Sequence, residues 1–516
     1  MYLYLTSTLL NLTYMKTTLS TIIFLIISPF YFSQISYEKR IEFELKDGYY
    51  NERITEFKEK GFLMNSRKIQ TINNETEWKY DLYNTNLEQV KTKKLLLNKK
   101  YFKNETFSDN ERLYTLFTNK KGEYQLITIN ASNLEEIQVS GLIPKKSYVK
   151  SMAILGDYAY LKTIIKKSPF LFAINWKTGE KKLIPVSIKD YSSKRLTLMN
   201  FQILKESNEI FLYVKALIKN KISDIYVIRL NDRGEKEEVF NFTENIDKNI
   251  IDISGSKISN NRYIFTGTYS SKSTALSEGL FFCKSEKSKI DFIKFYNFLD
   301  LENFLSYLPE RKQKKIEKKK NKKEKKGKEM RFNYRIAAHG LIQLNDGYLF
   351  LGEAFYPTYR MESYQTTVNG VTTTQYRQVF DGYQYTHAIL GKFNKKGELI
   401  WDQIFELYGT YKPFYVKRFI SIAEQKQNSI NLVFSSRNKI YSKSFDFNGS
   451  VLKEKESDKI ETNFSGDKTK RTFSNIDFWY DKYFLAYGSQ KIINKEKENN
   501  VKRKRKVYFI SKIKYE

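Results

Sequence analysis

The feature that most constrains the fold is a two-strand phrase that recurs along almost the whole chain. A short alternating segment ends in a polar turn opened by Asn or Asp and closed by Gly, and a second alternating segment follows. The clearest turns are Asn119-Lys120-Lys121-Gly122, Asn175-Trp176-Lys177-Thr178-Gly179, Asn231-Asp232-Arg233-Gly234, Asn394-Lys395-Lys396-Gly397 and Asn448-Gly449. Asn and Asp bond their own backbone in such turns, and Gly supplies the positive φ near their end. The glycines are evenly spaced: 57 residues from Gly122 to Gly179, 55 to Gly234, and 52 from Gly397 to Gly449. Another strand pair precedes each phrase, turning at Gly156-Asp157, Ser207-Asn208, Asn260-Asn261 and Gln427-Asn428. Four short strands in a period of about 40–55 residues are the signature of a β-propeller blade.

Eight units can be counted, at roughly 49–97, 101–142, 148–187, 198–242, 251–297, 334–407, 416–455 and 472–515. The last runs out after its third strand. The segment EKRIEFEL at 38–45 supplies the missing outer strand, and pairing the termini closes the ring and removes open edges. The expectation is an all-β chain folded as one seven- or eight-bladed propeller over 35–516, with two β-sandwich domains as the rival architecture. The 39 Tyr and 38 Phe suit strands, because aromatics fit a pleated, half-buried surface.

The sixth unit carries the additions. In front of it lies an insertion, 302–332, where Leu301, Phe304, Leu305 and Leu308 fall at helical spacing before Pro309. The run 311–331 that follows holds 13 basic and 3 acidic residues, and its only apolar position in the helix-forming part is Ile316. Such a segment is a solvated helix or a disordered arm, not core. A Tyr- and Thr-rich hairpin, 356–385, is inserted between the unit's two strand pairs and turns at Asn369-Gly370.

The chain carries 89 Lys and Arg against 58 Asp and Glu, net +31. A field of that sign attracts anionic partners such as nucleic acid, anionic lipid or acidic polysaccharide. Lys is spread along the whole chain, as a compositional bias would leave it, and only 311–331 is a cluster. Residues 1–34 read as a secretory signal peptide with an upstream extension: Met15-Lys16, an apolar stretch from Leu19 to Phe32, then Ser33-Gln34. The competing reading, a membrane anchor, is weakened by the shortness of the run and by Pro29. The mature chain is expected to be extracytoplasmic (periplasmic, outer-surface or secreted) with no transmembrane helix, which argues against nucleic acid as its partner.

Motifs for chemistry are scarce. No P-loop, GxSxG, HExxH or CxxC occurs. The single Cys283 forms no intrachain disulfide, and its setting GLFFC reads as a buried small hydrophobe. Two histidines, His339 and His387, argue against a His-based metal centre or triad and read as structural. Asp232 and Asp346 sit in turns without the spacing of a calcium loop. No cofactor is implied.

The best candidate surface is the inserted hairpin and its flanks: Tyr356, Tyr359, Tyr364, Tyr376, Tyr383 and Tyr385 as amphipathic faces, with Glu353, Arg360, Arg377, Asp381 and His387 as polar groups. Tyr buries much area at low entropy cost and keeps a polar handle. The competing reading packs these aromatics on neighbouring blades. Glu353 and Asp381 together would suit a glycosidase acid/base pair. A second candidate is the arm, where Lys314, Lys315, Lys318, Lys319, Lys322, Lys323, Lys325 and Lys326 offer an anion-binding surface, a partner helix or merely a solvated insertion.

The signal ending FSQ, the Lys/Glu helix and the passage GEAFYPTY…VNGVTTTQY…VFDGYQYTHAILGKFNKKGELIWD resemble a group of exported, uncharacterised β-propeller-like proteins of Bacteroidota. The resemblance covers most of the mature chain, with its specific motifs confined to about 352–402. It implies a secreted or periplasmic location and carries over no catalytic residues. The sequence reading is therefore an exported propeller that binds or scaffolds a protein or glycan at the cell envelope. The alternatives are a polysaccharide hydrolase or lyase using Glu353 or Asp381, and a purely structural envelope protein.

Overall fold

The computed structural model describes residues 35–45, 48–68, 73–218, 223–244, 246–273, 275–423, 428–496 and 501–515. The segment read as a signal peptide lies outside the described residues.

Eight antiparallel sheets follow one another along the chain. Blades 1 to 5 span 49–98, 102–142, 147–185, 196–241 and 249–297; blades 6 and 7 span 335–406 and 421–459. Blade 8 takes its first three strands from 467–515 and its outer strand, Ile35–Glu44, from the start of the described chain. That strand pairs antiparallel with the last one, from Ile35 opposite Tyr515 to Glu44 opposite Val507. The terminal closure expected from 38–45 is therefore present, and the count is eight.

The ring is visible in the packing. Buried apolar residues fall into eight clusters, each filling the gap between successive blades, and one of them joins Trp479, Leu485 and Tyr508 of blade 8 to Ile54, Phe62 and Met64 of blade 1. Two sandwich domains would not close such a circuit. In blade 2 the strand Arg112–Thr118 puts Leu113 and Phe117 against blade 1 and Tyr114 and Leu116 against blade 3. Both faces are buried, so the strand reads as a continuous apolar run, and each such side chain contributes about 1.5–3 kcal/mol. Outer strands have only one covered face: Lys181–Pro185 alternates between exposed and half-buried. Cys283 lies fully buried in the core between blades 4 and 5, as expected.

Two sequence readings need correction. Gly179, Gly234, Gly397 and Gly449 do close equivalent turns between third and fourth strands, but Gly122 closes a turn between the second and third strands of blade 2. The equivalent blade 2 turn, 130–135, has no glycine and uses Leu134 at φ 57° instead. The apolar residues at helical spacing before Pro309 do not form a helix. The helix is Glu310–Glu324, with Pro309 as its N-cap, because a residue preceding proline is kept out of the helical region. Leu301, Phe304 and Tyr307 instead plug the gap between blades 5 and 6.

Candidate binding face

In a four-stranded meander, turns between second and third strands emerge at the same end of the ring as the connections between blades. Four features of this chain share that end. They are the hairpin turn of blade 6 at 369–370, the 298–334 connection that carries the helix, the 407–420 connection, and the blade 7 turn at 437–438.

The inserted hairpin prolongs the second and third strands of blade 6 past the ring, Gly347–Val368 and Val371–Asn394, paired as far as Val368 opposite Val371 with register shifts at Ala354/Phe355 and Pro357/Tyr359. Asn369 and Gly370 close it with φ of 49° and 77°, the two positive values of a type I′ turn. Threonines stiffen the tip through cross-strand hydroxyl contacts, Thr366 to Thr373 at 3.2 Å and Thr367 to Thr372 at 3.0 Å.

Period-two alternation splits the predicted surface in two. One face carries Tyr359 opposite Phe380, Met361 opposite Gln378 and Ser363 opposite Tyr376. Tyr359, Met361 and Tyr376 are 55%, 63% and 68% exposed. The aromatic ladder descends from Tyr359 through Phe380 and Tyr383 to Phe355 and Tyr385, with successive ring centroids 5.0–6.0 Å apart. The opposite face is polar. Arg360 and Arg377 bracket Glu362 and hold its carboxyl below the usual range, and Tyr364 donates to Gln375 at 2.8 Å. Tyr356 is also exposed, but it stands below the bulge between Pro357 and Tyr359.

At the base three nominated residues are buried, and the surface reading fails for them. The Glu353 carboxylate accepts the backbone N–H groups of Phe419 and Ile420 at 2.9 Å and meets His339 Nε2 at 2.9 Å. It ties blade 6 to the start of blade 7. Tyr385 stacks on Phe355, packs edge-on against Phe419 and accepts from Lys417 N–H at 2.8 Å. His387 stacks on Tyr307 at 3.8 Å, beside Phe304 and Tyr334, and burial pushes its pKa down to about 3. This aromatic box fastens the 298–334 connection to blade 6, with Asp402 accepting the N–H groups of Glu302 and Asn303 at 2.8 Å. A carboxylate or imidazole enclosed in this way meets no substrate.

The acid/base pair fails for the same reason. Asp381 sits at the bulge opposite Thr358, five residues up the strand from Glu353, a separation of about 17 Å along a strand. Its carboxylate is held by Lys412 at 2.9 Å, which lowers its pKa. Asp346 has a structural partner too, the buried ammonium of Lys392 at 2.6 Å.

The Lys-rich arm is helical. Ile316 packs into the core between blades 5 and 6, Gln313 donates to Leu308 O at 2.7 Å, and Lys320 donates to Leu299 O at 2.7 Å and pairs with Asp300. Lys314 pairs with Glu310, one turn away. Lys315, Lys318, Lys319, Lys322, Lys325 and Lys326 are exposed and Lys323 half-buried, and none of these seven has an ion pair among the described residues. Reading the sequence missed the 407–420 connection. Its Phe414 and Tyr415 are 70% and 65% exposed, and Phe414 packs on Phe380 at the hairpin's foot. The run YGTYKPFYV was its available signal.

No family model and no curated protein matches this sequence. Among solved structures, the WD40 domain of SCAP from fission yeast covers 92% of this chain and 98% of its own, at 8% identity and a TM-score of 0.37. The β-propeller domain of the Trilobed protease from Pyrococcus furiosus covers 78% of this chain and 98% of its own, at 9% identity and a TM-score of 0.32. The tricorn protease covers 82% of this chain at 9% identity and a TM-score of 0.38, and the chain spans 36% of that protease's length. The molecule is an eight-bladed β-propeller, established by its own sheet order and its closed circuit of cores. Among the described residues no helix is long and apolar enough to cross a membrane.

Proposed function

We propose that this propeller is an exported binding or scaffold protein that recognises a protein or glycan of the cell envelope on the end of the ring that carries the hairpin. One observation carries the reading. The chain extends two blade strands well beyond their packing partners and leaves Tyr359, Met361 and Tyr376 on one face of the extension, exposed and with only cross-strand neighbours. Exposed aromatics on a stiff ribbon make contact area at low entropy cost. The helix adds an anion-attracting surface at the same end, whose contribution falls with salt.

The test is co-sedimentation of the full chain with isolated cell envelopes, from which protein and glycan are removed in turn. The triple variant Tyr359→Ser, Met361→Ser, Tyr376→Ser is expected to lose binding about tenfold or more. Replacing Lys314, Lys315, Lys318, Lys319, Lys322, Lys323, Lys325 and Lys326 with Gln is expected to remove only the salt-sensitive part. If both variants bind like the parent, the reading is wrong and a purely structural role takes its place.

A further inference from the structure

A cleft of about 390 Å³ opens on the same end of the ring, between blades 7 and 8 and away from the hairpin tip. Three separate stretches line it: Thr410 and Tyr411 from the 407–420 connection, Arg437 and Asn438 from the blade 7 turn, and the start of the first strand of blade 8. A bulge between Thr469 and Arg471 makes Lys470 the extra residue of that strand, and bulges re-aim side chains.

The lining is one-sided in charge. Arg437, Lys470 and Arg471 face the cleft, no carboxylate does, and none of the three has an ion pair among the described residues. Arg471 lies over the ring of Phe473 at 4.6 Å, so its guanidinium plane is held while its edge stays free. Just outside, Lys468 and Lys470 lower the pKa of Lys495, as an uncompensated cluster of cations must.

The neutral groups are donors too. Asn438 Oδ1 accepts from Thr472 Oγ1 and from Gln490 Nε2, both at 3.0 Å. The amide is thereby fixed with its oxygen engaged, leaving Nδ2 as the free end. The Thr410 side chain lines the cleft at 5% exposure, and its hydroxyl is buried without a hydrogen-bond partner among the described residues.

We propose that this cleft binds an acidic saccharide, its carboxylate or sulfate oxygens on Arg437, Arg471 and Lys470 and a sugar ring against Phe473 or Tyr411. The volume exceeds what an inorganic anion fills and lies within the range of small-ligand sites. Forked guanidinium donors suit both carboxylate and sulfate. Phe473, 49% exposed, supplies the apolar face that a free phosphate would not use.

The test is calorimetric titration of the full chain with a uronate trisaccharide, the same sugar bearing sulfate esters, the neutral parent sugar, inorganic phosphate and a tetraglutamate peptide. At least one acidic sugar is expected to bind, with affinity falling as salt rises, and the neutral parent to bind about tenfold or more weakly. Which acidic sugar binds separates the two sources of charge. Arg471→Gln and Arg437→Gly are each expected to weaken binding about tenfold. Arg437 sits at φ 55°, so glycine there also eases the turn. Arg471 lies on another segment, so the two variants probe the cleft independently. Lys181→Gln, exposed on the outer strand of blade 3, should leave the affinity unchanged. The proposal is overturned if neither acidic sugar binds or the neutral parent binds equally. It is also overturned if phosphate or the peptide binds more tightly than the sugars, or if the folded cleft variants bind like the parent.

Discussion

Within one pair of strands, blade 6 holds two kinds of surface. At the base, Glu353, Tyr385 and His387 are completely enclosed, and each is matched to a group from outside the blade: backbone N–H groups at 419 and 420, Phe419, and Tyr307. At the tip, Tyr359, Met361 and Tyr376 have water on their free sides and only cross-strand neighbours. Residue type does not separate the two regions, since both hold Tyr and Glu. What separates them is whether a neighbouring blade reaches that height on the strand. The base is accounted for by the closure of the ring, whereas the tip adds nothing to it, and a surface that stability does not explain is where recognition should be sought.

The largest effect that tests this contrast is Glu353→Ala. It leaves two buried N–H donors unpaired, and the expected loss is about 3 kcal/mol in a denaturant titration. A loss below about 1 kcal/mol would mean that the base is not a clamp. Next comes acid. His387 is held neutral down to about pH 3, against an ordinary value of 6.5. Above pH 6.5 it is neutral in both folded and unfolded chains and costs nothing. Below that, the unfolded chain takes up a proton the folded one refuses, so stability falls as pH drops from 6.5 towards 3. At pH 5 the loss is about 2 kcal/mol, and His387→Phe should flatten that part of the stability–pH curve relative to the parent. Equal slopes in parent and variant would remove the histidine from the account.

A smaller effect is expected at the turn. Replacing Asn369-Gly370 with Ala-Ala forces two side chains into the left-handed region at about 1 kcal/mol each. Hydrogen exchange should speed up across 358–382 while the global melting point holds. Loss of global stability there would show that the tip supports the ring after all. The smallest effect is that of Tyr359→Ser, Met361→Ser and Tyr376→Ser, each within about 0.5 kcal/mol of the parent in unfolding free energy.

The sequence narrowed the blade count to seven or eight and made the closing strand and the place of both additions legible, because these depend on local alternation and turn chemistry. Asn369-Gly370 announces its own turn, and 35–44 has the strand that blade 8 lacks. The candidate surface was legible only in part. Tyr359 and Tyr376 are exposed as read, while Tyr385 and His387, equally aromatic and only a few residues further along, are core. Gly122 shows how a correct repeat can rest on a mixed set of turns, since glycine closes more than one kind.

By itself, then, the sequence determined an all-β chain of repeated four-stranded units joined at its ends, with a basic insertion before the sixth and a long hairpin within it. Periodicity and turn residues act over a few positions, so one chain is enough to read them. Only the tertiary structure decided that Glu353 is a clamp, because its partners lie 66 and 67 residues away on the connection into the next blade. Only it brought Thr410, Arg437 and Arg471 to one cleft. Those three come from a connection, a turn and a strand, each unremarkable in its own segment, and ring closure alone brings them together.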